Sequence, residues 1–231
     1  METDMNKTAR LTGIFYLSII ICAGFSQGYV RNSLFLPGDP ETTLINIVVS
    51  EGLFRLGLVA DLIAFMLDAA IAILFYQLLK EVNKTLAVLA AAFRLLAHPA
   101  IASLNLLNHY MALETATSGG YLSVLGMEQQ KAWTMLYLQA HNYGYLLAGA
   151  LFSVHCFLLG ILLYKSDLFP SIFGILIMVA ASGYMIETFG NIIMPGNEAI
   201  LANIVGFSAV IGEVSLALYL TVKGARKKII F

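Results

Sequence analysis

The stretch that decides the fold is 137–170, YLQAHNYGYLLAGALFSVHCFLLGILLYKSDLFP. It is longer than the ~20 apolar residues that a helix needs to cross a bilayer. His141 and His155 lie within it. Their spacing puts them about 40° apart on one helical face and roughly 21 Å apart along the axis. Because ionisable groups in a span usually face protein, the stretch predicts a membrane-spanning helix with one polar side.

The composition points to a membrane protein. The 231 residues are 59% apolar and 12% charged, with a mean hydropathy of +0.83. These values lie far from those of an average soluble domain. The net charge of −1 offers no basic face, so nucleic acid is not expected as a partner. Cys22 and Cys156 fall within apolar runs and form no spaced framework for disulfides or zinc.

Six apolar runs divide the chain. They predict an all-α, polytopic bundle of six transmembrane helices that forms a single domain over residues 1–231. The predicted spans are 11–29, 53–79, 86–113, 137–164, 170–194 and 200–222. Pro99 predicts a kink in the third span.

Two linkers predict short helices lying in the outer interface. Asp39 is a typical helix N-cap and Pro40 a typical first residue of a helix, so together they predict a helix start. Leu44 and Ile47 then lie on one face of that helix. The second predicted interfacial helix lies within 114–135.

The positive charges predict the orientation. If the N-terminus is inside, nine Lys and Arg residues fall on inner segments and two on outer segments, which is the positive-inside pattern. The inner residues are Lys7, Arg10, Lys80, Lys84, Lys165, Lys223, Arg226, Lys227 and Lys228, and the outer residues are Arg31 and Lys131. We therefore expect a multi-pass membrane protein, in contact with the lipid bilayer, with both termini cytoplasmic.

Polar side chains within the predicted spans form two layers. The outer layer contains Arg55, Asp61, His109, His141, Glu187 and Asn191. The middle-to-inner layer contains Asp68, Arg94, His98, His155 and Glu213. Since these residues share helical faces, they predict a bundle with a polar interior.

Each intramembrane arginine requires an anion. For Arg94, one interpretation is a structural ion pair with Asp68 or Glu213, and the other is an anionic headgroup or substrate in a cavity. For Arg55, Glu51 lies four residues earlier, which favours a surface pair.

The histidines have three interpretations. In the first, they are interior residues hydrogen-bonded to carboxylates or to the backbone. In the second, they bind a metal or act in catalysis, and in the third they are haem ligands. A zinc site would use His98 and His155 with Asp68 or Glu213, but no local metal motif is present. Two bis-histidine haems would need matched spacing, whereas the separations of roughly 16 Å and 21 Å differ. We therefore predict no cofactor and no metal.

Several segments resemble a bacterial membrane family known only as domain of unknown function 4386. They include TARLTGIFYL, SEGLFRLGLVADLI, AAFRLLA, SGYMIETF, IGEVSLALYLTVKG and the stretch 141–177. The resemblance implies a six-span protein of the bacterial inner (plasma) membrane and carries no established activity. The family's polar signature matches Arg55, Arg94, His141, His155, Tyr184, Glu213 and Lys223, whereas His98 and His109 lie outside it.

The leading functional hypothesis is a protein that binds or senses a small amphipathic or lipid-like ligand in a polar intramembrane cavity. The candidate cavity residues are Arg55, Asp61, Asp68, Arg94, His141, His155, Glu187 and Glu213. One alternative is an intramembrane metal- or histidine-dependent enzyme. The other is a small-solute or proton-coupled transporter that uses the buried acids as relays.

Overall fold

The computed structural model of the protein describes residues 2–226 and contains no strand within them. Six of its helices are long and apolar enough to cross a membrane, which confirms the predicted all-α, six-helix architecture. With the short second helix included, they are α1 Asp4–Leu34, α2 Pro40–Val49, α3 Glu51–Leu79, α4 Lys84–Thr117, α5 Met127–Lys165, α6 Ser171–Ile193 and α7 Glu198–Val222. Lys227 and Lys228 of the predicted inner segments lie outside the described residues.

Side-chain caps define where two helices begin. Asp39 Oδ1 accepts a hydrogen bond from the Thr42 backbone N–H at 3.0 Å, and Pro40 occupies the first turn of α2. Asn83 Oδ1 accepts from the Leu86 backbone N–H at 3.0 Å at the start of α4. Each cap satisfies one of the backbone donors that a helix start leaves free.

The linker before α5 contains a short helix. Over 114–135 the structure has the end of α4, a 3-10 helix at Gly120–Val124 and the first residues of α5. Gln129 Oε1 accepts from the Gly126 backbone N–H at 3.1 Å, so α5 begins at Met127, ten residues before the predicted start at Tyr137.

The long helices form a closed ring. Each packs against its neighbour in the chain, and α7 returns to pack against α1. Asn6 Oδ1 accepts from the Ala225 backbone N–H at 3.1 Å, so both ends of the described chain lie at one end of the bundle. We call this the termini end and the opposite one the distal end. Large apolar side chains such as Phe207 and Ile193 cover the outside, as expected for a surface that faces lipid.

Glycines allow the closest approach between two neighbouring helices. A Cβ on Gly174 of α6 would lie 2.6 Å from the carbonyl oxygen of Gly160 on α5. A larger residue would push the two backbones apart. Small residues at such contacts are typical of helix packing in membranes.

Three long helices contain π-helical segments: Gly24–Arg31 in α1, Leu96–Ala102 in α4 and Val210–Val214 in α7. Pro99, where a kink was predicted, lies in the second of these segments. Proline has no N–H to continue the hydrogen-bond ladder. All three segments carry polar residues that point into the bundle, and π segments frequently occur at functional sites.

Candidate functional site

Two groups of largely buried polar side chains lie inside the ring of helices. We call the first the termini-side cluster, which consists of Asp68, Arg94, His98 and His155. We call the second the distal cluster, which consists of Ser26, Arg31, Asp61, His109 and His141. Both clusters draw on α3, α4 and α5, and the distal cluster also includes α1.

Arg94 is the centre of the termini-side cluster. Its Nε donates to Asp68 Oδ1 at 3.0 Å, and its Nη2 forms an ion pair with the same oxygen. Its Nη1 lies 2.9 Å from His155 Nε2. The second carboxylate oxygen of Asp68 lies 2.6 Å from His98 Nδ1. Of the two partners that the sequence left open for Arg94, Asp68 is therefore the one in contact.

Aromatic rings complete the surroundings of Arg94. Its Cζ lies 5.0 Å from the ring centroid of Tyr16 and 5.2 Å from that of Phe152, so cation–π contacts cover the guanidinium. Glu213 is held separately. It accepts from the Tyr16 hydroxyl at 2.7 Å and from the Tyr184 hydroxyl at 2.6 Å.

The termini-side cluster is internally satisfied. His155 Nδ1 lies 2.8 Å from the Ala90 carbonyl oxygen, so both ring nitrogens of this histidine have partners. Within residues 2–226, no fully buried side-chain nitrogen or oxygen of this cluster lacks a hydrogen-bond partner. This network joins α3, α4 and α5 and leaves none of its fully buried atoms free for a ligand; His98, whose side chain is 15% exposed, contributes only its Nδ1.

Asp61 is the centre of the distal cluster. Its Oδ1 accepts from the Ser26 hydroxyl at 2.5 Å, and its Oδ2 forms an ion pair with Arg31. Arg31 Nη2 also lies 3.4 Å from His109 Nδ1. The His109 ring packs against His141, with 4.9 Å between the centroids. Two imidazoles, a carboxylate and a guanidinium therefore share one buried site.

Asn105 positions His141. Its side-chain nitrogen donates to the His141 backbone carbonyl at 2.7 Å, and its own backbone carbonyl lies 3.2 Å from His141 Nδ1. The Asn108 amide donates to Asn105 Oδ1 at 2.9 Å, which fixes the orientation of the Asn105 amide. His141 Nδ1 can therefore donate its proton to the carbonyl, and its Nε2 then keeps a free lone pair.

The distal cluster is incompletely satisfied, unlike the first. Four fully buried side-chain atoms within residues 2–226 have no hydrogen-bond partner, and all four belong to this cluster. They are Arg31 Nε, Arg31 Nη1, His109 Nε2 and His141 Nε2. Buried polar atoms are nearly always paired in folded proteins, so this concentration marks a site that a ligand can complete.

The metal set suggested by the sequence is not assembled. Asp68 contacts His98, but Arg94 stands between Asp68 and the Nε2 atom of His155. Glu213 faces two tyrosines. A different set comes together instead, because Asp61, His109 and His141 each offer one donor atom and the three atoms lie within 4.8 Å of one another.

The other predicted cavity residues lie outside both clusters. Arg55 Nε donates to Glu51 at 2.8 Å on an exposed part of α3, in keeping with the surface pair favoured by the sequence. Glu187 is half-buried on α6, and no side chain within residues 2–226 bonds to its carboxylate. Ser26 and Arg31 were not among the predicted site residues: Arg31 lies beyond the predicted end of the first span at Tyr29, and Ser26 lies within that span but is not ionisable.

The fold and its buried polar groups define a multi-pass membrane protein. The chain belongs to the family described as Domain of unknown function (DUF4386), whose model matches residues 11–224. This confirms the resemblance noted in the sequence. An uncharacterised protein of Archaeoglobus fulgidus is 28% identical over 169 residues, which cover 73% of this chain and 84% of that protein. No solved structure matches the chain.

Proposed function

We propose that this protein binds a small amphipathic ligand whose polar head enters the distal cluster. The observation that carries the proposal is the set of four buried, unpartnered nitrogen atoms on Arg31, His109 and His141. Leaving a buried donor or acceptor unsatisfied costs about 1–3 kcal/mol, and more for a charged group. A ligand that supplies the missing partners therefore stabilises the protein as it binds.

Arg31 determines the chemistry of the ligand head. A guanidinium has only donors, and two of its nitrogens here, Nε and Nη1, have no partner. They require oxygen acceptors, of which a carboxylate or a phosphate ester binds most strongly. The ligand is therefore expected to carry an anionic oxygen group.

Accessibility favours Arg31 as the entry point. Its side chain is 13% exposed, whereas that of Asp61 is 1% exposed, although Nε and Nη1 of Arg31 are themselves buried. Of this ion pair, Arg31 is the residue nearer to the surface. A head bound there leaves an apolar tail next to the apolar outer surface of the bundle, which suits a lipid-like molecule.

The orientation of the protein is part of the proposal. The excess of Lys and Arg on segments at the termini end supports cytoplasmic termini and a plasma-membrane location. The distal cluster then lies toward the outer side of the membrane, and its ligand comes from the outer leaflet or the space beyond it.

Native mass spectrometry of the detergent-purified protein tests the proposal, with Arg31→Gln compared against Arg55→Gln. The matched control removes an arginine whose side chain is exposed and pairs with Glu51. We expect a reproducible bound mass on the wild-type protein and on Arg55→Gln, and its loss from Arg31→Gln. A bare chain after extraction with added membrane lipids, or a mass that survives Arg31→Gln, contradicts the proposal.

A further inference from the structure

We propose that Asp61, His109 and His141 bind one zinc-class transition-metal ion. This inference rests on the proposed function, because it places the metal in the same distal cluster. The metal and Arg31 together would hold the anionic head of the ligand. Two imidazoles and one carboxylate form an N₂O donor set that zinc accepts, with a fourth position left for water or ligand.

The geometry brings the three donor atoms close to coordination distance. They lie within 4.8 Å of one another. Two ligands of a tetrahedral zinc ion lie about 3.3 Å apart, because each bond is about 2.0–2.1 Å long. Side-chain shifts of about 1 Å therefore convert the cluster into a coordination site.

Neighbouring groups already orient the ligands. The Asn105 backbone carbonyl lies 3.2 Å from His141 Nδ1, and when Nδ1 donates its proton to this carbonyl, Nε2 is free to bind the metal. Ser26 and Arg31 hold the two oxygens of Asp61, and each oxygen keeps a lone pair for an ion. Such outer contacts fix ligand orientation in established metal sites and contribute strongly to affinity.

The charge balance identifies the fourth ligand. Arg31 and Asp61 neutralise each other, and His109 and His141 are neutral when they bind metal. A divalent ion therefore adds two positive charges to a buried site. Because uncompensated charge is unfavourable there, the open position favours an anion, such as a carboxylate or phosphate oxygen.

The termini-side cluster provides an internal control. It also contains two histidines and an aspartate, on the same three helices. In that cluster both ring nitrogens of His155 have partners, Arg94 and the Ala90 carbonyl, whereas Nε2 of each distal histidine has none. His98→Gln and His155→Gln therefore remove imidazoles without removing a proposed ligand.

Zinc titration of the chelator-treated, untagged protein in detergent tests the inference. Zinc chloride is the probe, and metal per chain is measured by elemental analysis after gel filtration. We expect about one equivalent for the wild type, His98→Gln and His155→Gln, and less than a tenth of an equivalent for His109→Gln and His141→Gln. Only variants that elute as a single folded species are compared.

Cobalt provides a measurement on the wild-type protein alone. Co²⁺ in the proposed site should give the intense visible absorption of a tetrahedral ion, and zinc should displace it. Absence of both zinc retention and a cobalt spectrum overturns the inference, as does equal loss of zinc from all four histidine variants. If the inference fails while the bound mass still depends on Arg31, the proposed function stands without a metal.

Discussion

The two polar clusters share α3, α4 and α5 and contain similar residues, but they differ in how completely their hydrogen bonds are satisfied. At the termini side, Arg94 is enclosed by Asp68, His155 and two aromatic rings. At the distal end, Arg31 contacts Asp61, and its Nε and Nη1 have no hydrogen-bond partner. Residue type alone therefore does not distinguish a structural polar network from a binding site.

The comparison also predicts different roles for the buried charges of the two clusters, stability for the termini-side cluster and binding for the distal cluster. Burying a charge in a protein is tolerated when its partners fully compensate it, and removing one partner is then strongly destabilising. In a cluster whose donors are already unpaired, the folded protein already carries part of this destabilisation, so removing one more partner should lower its stability less. We therefore expect mutations at the termini side to change stability most, and mutations at the distal end to change binding most.

The largest expected effect on stability is that of Asp68→Ala. It leaves Arg94 buried without its carboxylate, which should lower the free energy of unfolding by about 3–5 kcal/mol. Thermal or denaturant unfolding in detergent measures the change. Glu51→Ala is the matched control, because Glu51 pairs with the exposed Arg55. Equal stability of Asp68→Ala and Glu51→Ala would show that the termini-side network is not structural.

The next effect concerns binding at the distal end. In Gly144→Ala, the new Cβ would contact the amide of Asn105, which positions His141. Displacing an outer contact of this kind should weaken zinc affinity by about 10–100-fold. The comparison is Gly206→Ala, where a Cβ meets nothing within 4 Å. Unchanged zinc affinity in folded Gly144→Ala would mean that Asn105 does not orient the proposed ligand.

Smaller losses are expected at Glu213. Tyr16→Phe and Tyr184→Phe each remove one hydroxyl donor from this carboxylate. Hydrogen bonds between membrane helices contribute about 1 kcal/mol, and each variant should lose about that much stability. Tyr164→Phe, which alters an exposed tyrosine on α5, should unfold like the wild type. If folded Tyr16→Phe bound zinc more weakly than the wild type, the two clusters would not be independent, which would contradict the account.

The smallest effect is local and pH-dependent. Hydrogen bonds from the hydroxyl and backbone N–H of Thr42 lower the pKa of Asp39. Since the pKa is depressed in the folded protein, the cap is fully present above the ordinary carboxyl pKa and is lost as the pH falls through the lower, folded value. Amide exchange in α2, corrected for its intrinsic pH dependence, should accelerate in Asp39→Ala at neutral pH and differ little from the wild type at strongly acidic pH. Equal protection of both proteins at neutral pH would exclude a capping role.

Much of the fold follows from sequence because hydropathy and caps are local properties. The six long helices and the cap at Asp39 were predictable from apolar runs and from a cap followed by proline. The charge of Arg94 also required an anion, and Asp68, one of the two acids proposed as its structural partner, is in contact with it. These inferences need only the position of a residue along its own helix.

The distal cluster could not be derived in the same way. Ser26 and Arg31 are five residues apart, a spacing that α-helical periodicity does not place on one face and that a π-helical segment changes. Arg31 also follows the apolar run, which makes it resemble an interfacial charge. His109 and His141 meet because α4 and α5 pack side by side, and that register depends on tertiary contacts.

The most direct test compares the stabilities of Arg31→Gln and Arg94→Gln by unfolding in the same detergent, without added ligand or metal. The account predicts that Arg94→Gln loses about 3–5 kcal/mol, because Asp68 and His155 lose their buried partner. It predicts that Arg31→Gln loses about 1 kcal/mol or less, since the substitution also removes two unpartnered donors and glutamine can still donate to Asp61. Equal losses in the two variants would mean that the distal cluster is as much a structural network as the first, and would contradict its assignment as a binding site.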